Sequence, residues 1–241
     1  MSALPVVLVP VGVDDDALDA CLAALDAGTP LGTRVWLADD AQAGPRGIVI
    51  VERWLARTGL QADYTRRPRA IGEAAHLDDM LKACGDADVL VLASDAVPFP
   101  GWANQLVACA ARDPAIATAT PWCNAGETAS WPRVGEVLPV PDEPLRLARA
   151  AASLPPHHPE LPAAVNHAVF LRGNARRKAN GKYSSSRRPI ISSTSAARRS
   201  PPSTPRRDSP TVRILAISST CALAPAPTAR RTASTSPTAR R

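Results

Sequence analysis

The chain has 241 residues, 45% of them apolar, which allows one moderate domain with an appendage or two small domains. Its net charge of +6 joins two unlike parts. Residues 1–172 carry 13 Lys/Arg against 21 Asp/Glu, net −8, and residues 173–241 carry 15 against a single acid, Asp208, net +14. No stretch approaches the roughly 20 apolar residues of a membrane helix, and no basic n-region of a signal peptide opens the chain. Five dispersed cysteines without CxxC spacing argue against a disulfide framework or a structural zinc site. A soluble protein with reduced thiols is expected, cytoplasmic, with peripheral association at the inner face of the membrane left open.

The acidic part alternates strand and helix. "PVVLVPV" (5–11) is a valine-rich run that suits a strand buried on both faces. The helix that follows places Leu18, Cys21, Leu22 and Leu25 on one face, with Asp14 to Asp16 to cap its start and Gly28 to end it. "RVWLA" (34–38) is the next strand, stopping at Asp39-Asp40. A second helical pattern runs through Val51, Trp54, Leu55 and Thr58 and closes at Gly59. "ADYTRR" (62–67) reads as a strand. The next helix aligns Leu77, Met80, Leu81 and Cys84, with Gly85 as its stop. A strand at Val89–Ala93, a helix from about Gly101 bearing Trp102, Leu106 and Cys109, and a strand at 115–121 complete the series.

This alternation predicts an α/β fold with a mostly parallel sheet flanked by helices, in which ligands bind beyond the carboxyl ends of the strands. Three strand ends carry polar groups: Pro10-Val11-Gly12 with the acids beyond, Asp39-Asp40, and Ser94-Asp95. Helix capping is the ordinary reading for any one of them. Three together on one rim favour a ligand site. The first strand–helix turn lacks GxGxxG and GxxxxGK[ST], so no dinucleotide or P-loop fingerprint is present. Asp14, Asp15 and Asp16 would also repel a phosphate at that helix N-terminus. A carboxylate rim suits hydrogen bonding to a base or ribose and holding a divalent cation that carries a diphosphate.

The order of these pieces resembles the inverting family 2 glycosyltransferases of the GT-A fold (a Rossmann-related sheet), in particular bacterial rhamnosyltransferase-like members. The resemblance rests on "VVLVPVGVDDDALDACLAAL", "TPLGTRVWLADDAQAGP", "RRPRAIGEAAHLDDMLKA" and "VLVLASDAVPFPGWANQLVACAARDPAIATATPWCNAGETASWP" and covers about residues 4–172. It implies a nucleotide-diphosphate sugar donor, a glycan or lipid-linked acceptor, a weakly bound divalent metal (Mg or Mn) and a role in cell-surface polysaccharide synthesis. By resemblance Pro10 and Val11 line the nucleotide pocket, Asp39 or Asp40 bonds the base or ribose, and Ser94 and Asp95 form the diphosphate end. Asp95 matches the last acid of the metal motif. Trp102 is expected to pack beneath this loop, and Trp122, Asn124 and Glu127 to lie toward the acceptor. Two departures stand out: Gly12 replaces an aromatic residue, and Ala93 replaces the first acid of the metal motif.

Inverting transfer also needs a carboxylate to take the acceptor's hydroxyl proton. The family supplies it from a later segment marked by "GGFD" and an acidic cluster. Nothing similar follows residue 172, so the catalytic base is not identified. Residues 173–241 are almost wholly Arg, Ser, Thr, Pro and Ala, without helix or strand period, and are expected to be disordered. A basic arm for nucleic acid or an anionic surface is one reading of this tail. The lack of RGG repeats, and Tyr183 as its only aromatic, disfavour nucleic acid. Out-of-frame translation of GC-rich DNA accounts for the composition better, which makes residues 1–172 an incomplete nucleotide-sugar domain. The alternative is a non-catalytic binding module whose tail is an interaction arm. A dehydrogenase is a distant third.

Overall fold

The computed structural model describes residues 4–124, 129–130, 133, 138, 143–153, 158–161 and 167–176, with two further stretches, 213–214 and 221–225, described as backbone. In chain order the elements are β1 (Val6–Val11), α1 (Asp15–Gly28), β2 (Arg34–Asp39), α2 (Pro45–Leu55), β3 (Gln61–Arg66), α3 (Glu73–Ala83), β4 (Val89–Leu92) and β5 (Ala96–Val97). There follow α4 (Trp102–Ala111), β6 (Ile116–Pro121), α5 (Pro144–Ala152), β7 (Ala168–Leu171), β8 (Arg213–Ile214) and β9 (Cys221–Pro225).

Seven strands form one sheet in the order β3-β2-β1-β4-β7-β6-β9. β1 to β4 are mutually parallel, while β7 runs antiparallel to both β4 and β6. The expected mostly parallel sheet is therefore present, with β7 reversed in its middle and β9 reversed at its edge. The pleat divides its side chains between two cores. Val7, Val9, Val35, Leu37, Leu90 and Leu92 share one face with buried residues of α1, α2 and α4. Leu8, Ala38 and Val89 face the other way, against Met80 and Leu77 of α3. Each such side chain taken fully out of water contributes about 1.5–3 kcal/mol.

Local chemistry sets the helix limits. The Asp14 carboxylate accepts from the backbone N–H groups of Asp16 and Ala17, at 3.1 and 3.0 Å, and starts α1. Pro45 opens α2, where its fixed φ suits a first turn and its missing N–H goes unneeded. α2 ends at Leu55, before the predicted Thr58. The Thr58 N–H caps the last turn through Trp54 O, and its hydroxyl donates to Asp26 at 2.5 Å.

The tail contributes β8, paired with β5, and β9, paired antiparallel with β6. The aliphatic letters of "ILAISSTCALAP" supply a strand pattern amid the Arg/Ser/Pro background. Cys109 is disulfide-bonded rather than reduced, while Cys21, Cys84 and Cys123 are free thiols. Beyond β7 the chain remains tied to the body through Arg176. The Arg172 guanidinium donates to the carbonyls of Ala110 in the last turn of α4, Asp113 in the turn beyond it and Ile116 at the start of β6. Arg176 donates to Leu81 in the last turn of α3 and to Gly85 and Ala87 in the connection to β4. At Ala110 and Leu81 a cation meets a helix C-terminal carbonyl, which suits both hydrogen bonding and the helix dipole. Among the described residues no helix is long and apolar enough to cross a membrane.

Candidate functional site

The parallel register brings the three polar strand ends to one rim. Val11 lies beside Asp39, and Asp39 beside Arg66, so the ends of β1, β2 and β3 form a row. The end of β4 joins it on the other side of β1 through a long-range bond. The Gly12 N–H donates to Ser94 Oγ at 2.9 Å, and Ser94 is buried. A side-chain carbon on Gly12 would stand 2.9 Å from that same oxygen. A side chain at position 12 must therefore displace the Ser94 hydroxyl. Pro10 is half-buried and Val11 is buried.

The two consecutive aspartates point to opposite faces and do different work. Asp39 is wholly buried and belongs to the α2 side. Its Oδ1 accepts from the backbone N–H groups of Gln42 and Ala43, at 2.6 and 3.2 Å. Its Oδ2 accepts from the Tyr64 hydroxyl at 2.9 Å and from Arg66 Nη1 at 2.8 Å. Burial, and next the bond to the Asp39 carboxylate, push the Tyr64 pKa up. Asp40, 4% exposed, belongs to the α3 side and accepts from the Ile71 N–H at 2.9 Å and the Gly72 N–H at 2.8 Å. Burial alone would raise the Asp40 pKa. The two backbone donors, helped by the Arg67 guanidinium, outweigh that and hold it below the ordinary carboxylate value.

Asp39 and Asp40 therefore anchor the loops that precede α2 and α3. Their oxygens accept bonds from the protein itself, the loop-capping arrangement that is the ordinary reading of a strand-end acid. Between them Ala41 has φ 57°, the one positive φ at a non-glycine position among the described residues. The sharp turn so made lets one strand end serve two faces.

Asp95 is half-buried, and burial, then its charge, push the Cys21 thiol far up. Cys21 accordingly stays a protonated packing group, its Sγ 3.8 Å from Ala93 O. Trp102 is fully buried with Nε1 donating to Thr29 Oγ1 at 3.3 Å, the packing role expected. Asn124 is buried and exchanges bonds with Leu138, its side-chain Nδ2 donating to Leu138 O at 2.9 Å. That ties down the chain after β6. Trp122 is half-buried, and its Nε1 is a buried donor without a partner. Glu127 lies outside the described residues.

Sequence reasoning missed Tyr64, Arg66, Arg67 and His76. The signal was present: "LADD" and "YTRR" end neighbouring parallel strands, and opposite charges in register pair.

Among the described residues no three His, Cys, Asp or Glu side chains gather as a metal cluster. A magnesium-type ion can be held by a single carboxylate when phosphate oxygens complete its shell, so a lone rim acid does not by itself exclude one. A cavity of about 50 Å³ between Pro5, Pro30, Thr33, Ala103 and Val107 lies at the opposite, N-terminal end of the sheet. It is far below the several hundred Å³ of a small-molecule pocket.

No protein-family model matches the chain, and no curated protein matches it in sequence. Solved structures do. The chain is similar to S. aureus TarS 1–349, with 14% identity over 72% of this chain and 48% of that one, at a TM-score of 0.50. It also matches the mannosyltransferase PcManGT from Pyrobaculum calidifontis in complex with GDP-Man and Mn2+, with 16% identity over 74% and 47%, at a TM-score of 0.49. A third match is 4-diphosphocytidyl-2C-methyl-D-erythritol synthase from Anaerococcus prevotii, with 10% identity over 76% of each chain and a TM-score of 0.43. The chain spans about half the length of the first two. At these identities the likeness concerns the fold, a GT-A-like α/β sheet.

Proposed function

We propose that residues 1–172 form a nucleotide-diphosphate-sugar binding domain of the family 2 glycosyltransferase type, acting in the cytoplasm or at the inner face of the membrane. The observation that carries this reading is the rim itself. Two turns 82 residues apart, one after β1 and one after β4, are bonded together at Gly12 and Ser94, with Pro10 and Val11 preceding the first and Asp95 next to Ser94 in the second. Structural relatives named for GDP-Man with Mn2+, or solved with UDP-GlcNAc, support the ligand class.

In this reading Pro10 and Val11 wall the nucleotide, and Ser94 holds the β1 turn in place. The Ser94 hydroxyl, which accepts from Gly12, keeps its own proton to donate to a ligand oxygen. Asp95 would hold a magnesium or manganese ion, whose charge offsets that of a leaving diphosphate. Asp39 and Asp40 fix the surrounding loops without touching the ligand. Transfer with inversion to a glycan or lipid-linked hydroxyl is the reaction class, and the base for it is not among the residues assigned here. A domain that binds and does not turn over is consistent with that gap.

The test is thermal unfolding of the full chain with UDP, dTDP or GDP, with and without manganese. Stabilisation by one nucleotide, dependent on metal and lost in Asp95→Ala, is expected. A chain indifferent to all three would instead favour a non-catalytic module that uses the rim for another ligand.

A further inference from the structure

The group that the proposed site leaves unused is a buried histidine. His76, on the first turns of α3, is 5% exposed. Its Nδ1 accepts from Arg67 Nε at 2.9 Å, so the ring nitrogen facing Arg67 carries no proton. The ring is therefore neutral and its hydrogen sits on Nε2. That Nε2 is fully buried and has no hydrogen-bond partner.

The charged groups facing this ring come from three elements. Asp40, from the end of β2, lies 4.0 Å from Nδ1. Arg67, from the loop after β3, lies 3.9 Å from Asp40 and donates to Asp79 of α3 at 2.6 Å. Two carboxylates thus share one guanidinium, leaving the cluster one negative charge in excess while the ring is neutral. A proton taken up at Nδ1 balances the cluster. The same proton replaces an acceptor by a donor at the contact with Arg67, which cannot then persist.

We propose that His76 is a proton-operated latch on the loop after β3: neutral, its Nδ1 accepts from Arg67 Nε; protonated, it turns its Nδ1–H to Asp40 and leaves the guanidinium to its carboxylate partners, Asp79 and Asp40. Asp40 can accept this bond while keeping those from Ile71 and Gly72, since a carboxylate has about four acceptor positions. The contact so exchanged lies at the start of the loop 67–70, which the Arg67 N–H ties to Asp39 O. This loop borders the rim, but the latch does not depend on the rim binding a nucleotide.

Nitrogen-15 NMR of the full chain tests it. The Arg67 Nε–H signal and the His76 ring are followed from about pH 8 to about pH 5, the range in which histidines change charge. The expected result is a protected Arg67 Nε–H at the upper end that exchanges away in step with protonation of the His76 ring. In His76→Gln, whose side-chain oxygen still accepts but does not titrate, the Arg67 signal should persist throughout. An Arg67 signal unmoved while the wild-type ring titrates would overturn the proposal. A ring that never titrates in this range would do so as well, and that outcome needs no variant to fold.

Discussion

The backbone N–H of Gly12 donates to the Ser94 hydroxyl at 2.9 Å and fastens the end of β1 to the end of β4. A Cβ on Gly12 would lie 2.9 Å from the same oxygen, so the two positions are coupled. Ser94→Ala should cost about 1–2 kcal/mol, because a part-buried donor loses its acceptor. Gly12→Ala should cost a similar amount in the natural chain by displacing the hydroxyl. In the Ser94→Ala background it should cost little or stabilise slightly, since the obstacle is gone and alanine restricts the unfolded chain. A double-mutant cycle by urea denaturation measures this. Additive costs would show that the two residues act independently.

Asp39 is predicted to matter more for stability than for ligand contact. Asp39→Ala leaves Arg66, the Tyr64 hydroxyl and two loop N–H groups without their acceptor, at a cost of at least about 2 kcal/mol. Adding Arg66→Met should recover part of that loss by removing the stranded cation. Chemical denaturation of the single and double variants decides it, and a double variant less stable than Asp39→Ala alone would contradict the anchoring role.

Asp40 gives the fold an acid limb. Its folded-state pKa lies below the unfolded value, so its contribution is complete above the ordinary carboxylate pKa and is lost as the pH falls through the lowered folded pKa. The unfolded chain binds the proton first. Melting temperature should therefore decline more steeply between about pH 5 and about pH 2 in the natural chain than in Asp40→Asn. Parallel acid limbs would mean that Asp40 contributes nothing through its charge.

Much of this architecture is legible in the sequence, through valine-rich runs and helix-spaced leucines that decide locally. The helix start at the Asp14 run follows from such signals, and so do the strands 34–38 and Val89–Ala93, each within one residue of its observed end. The insertion of β7 between β4 and β6 does not, because four residues, "AVFL", carry no mark of which strands they will join. The site is legible in position and less so in role. A carboxylate at a strand end looks the same whether it meets a ligand or a distant backbone. Asp40 finds its partners 31 and 32 residues away, at Ile71 and Gly72.

Arg176 is predicted to anchor the segment after β7 to the end of α3. Its guanidinium bonds carbonyls of Leu81, Gly85 and Ala87, and burial, the largest influence, pulls its pKa down. Arg176→Met keeps the apolar stem and removes the donors, so it should lower stability by about 1–2 kcal/mol in urea. No loss would show that this anchor adds nothing to the stability of the sheet and its helices.

The central claim is that the rim at Gly12, Ser94 and Asp95 binds a nucleoside diphosphate with a divalent cation. Isothermal titration of the full chain with GDP, UDP and dTDP, in manganese and then in chelator, addresses it directly. The account predicts saturable binding of at least one nucleotide in manganese. That binding should weaken about tenfold or more both in chelator and in Asp95→Ala, about 1.4 kcal/mol or more. Binding that is unchanged by chelator and by Asp95→Ala, or no binding of any of the three, would contradict it.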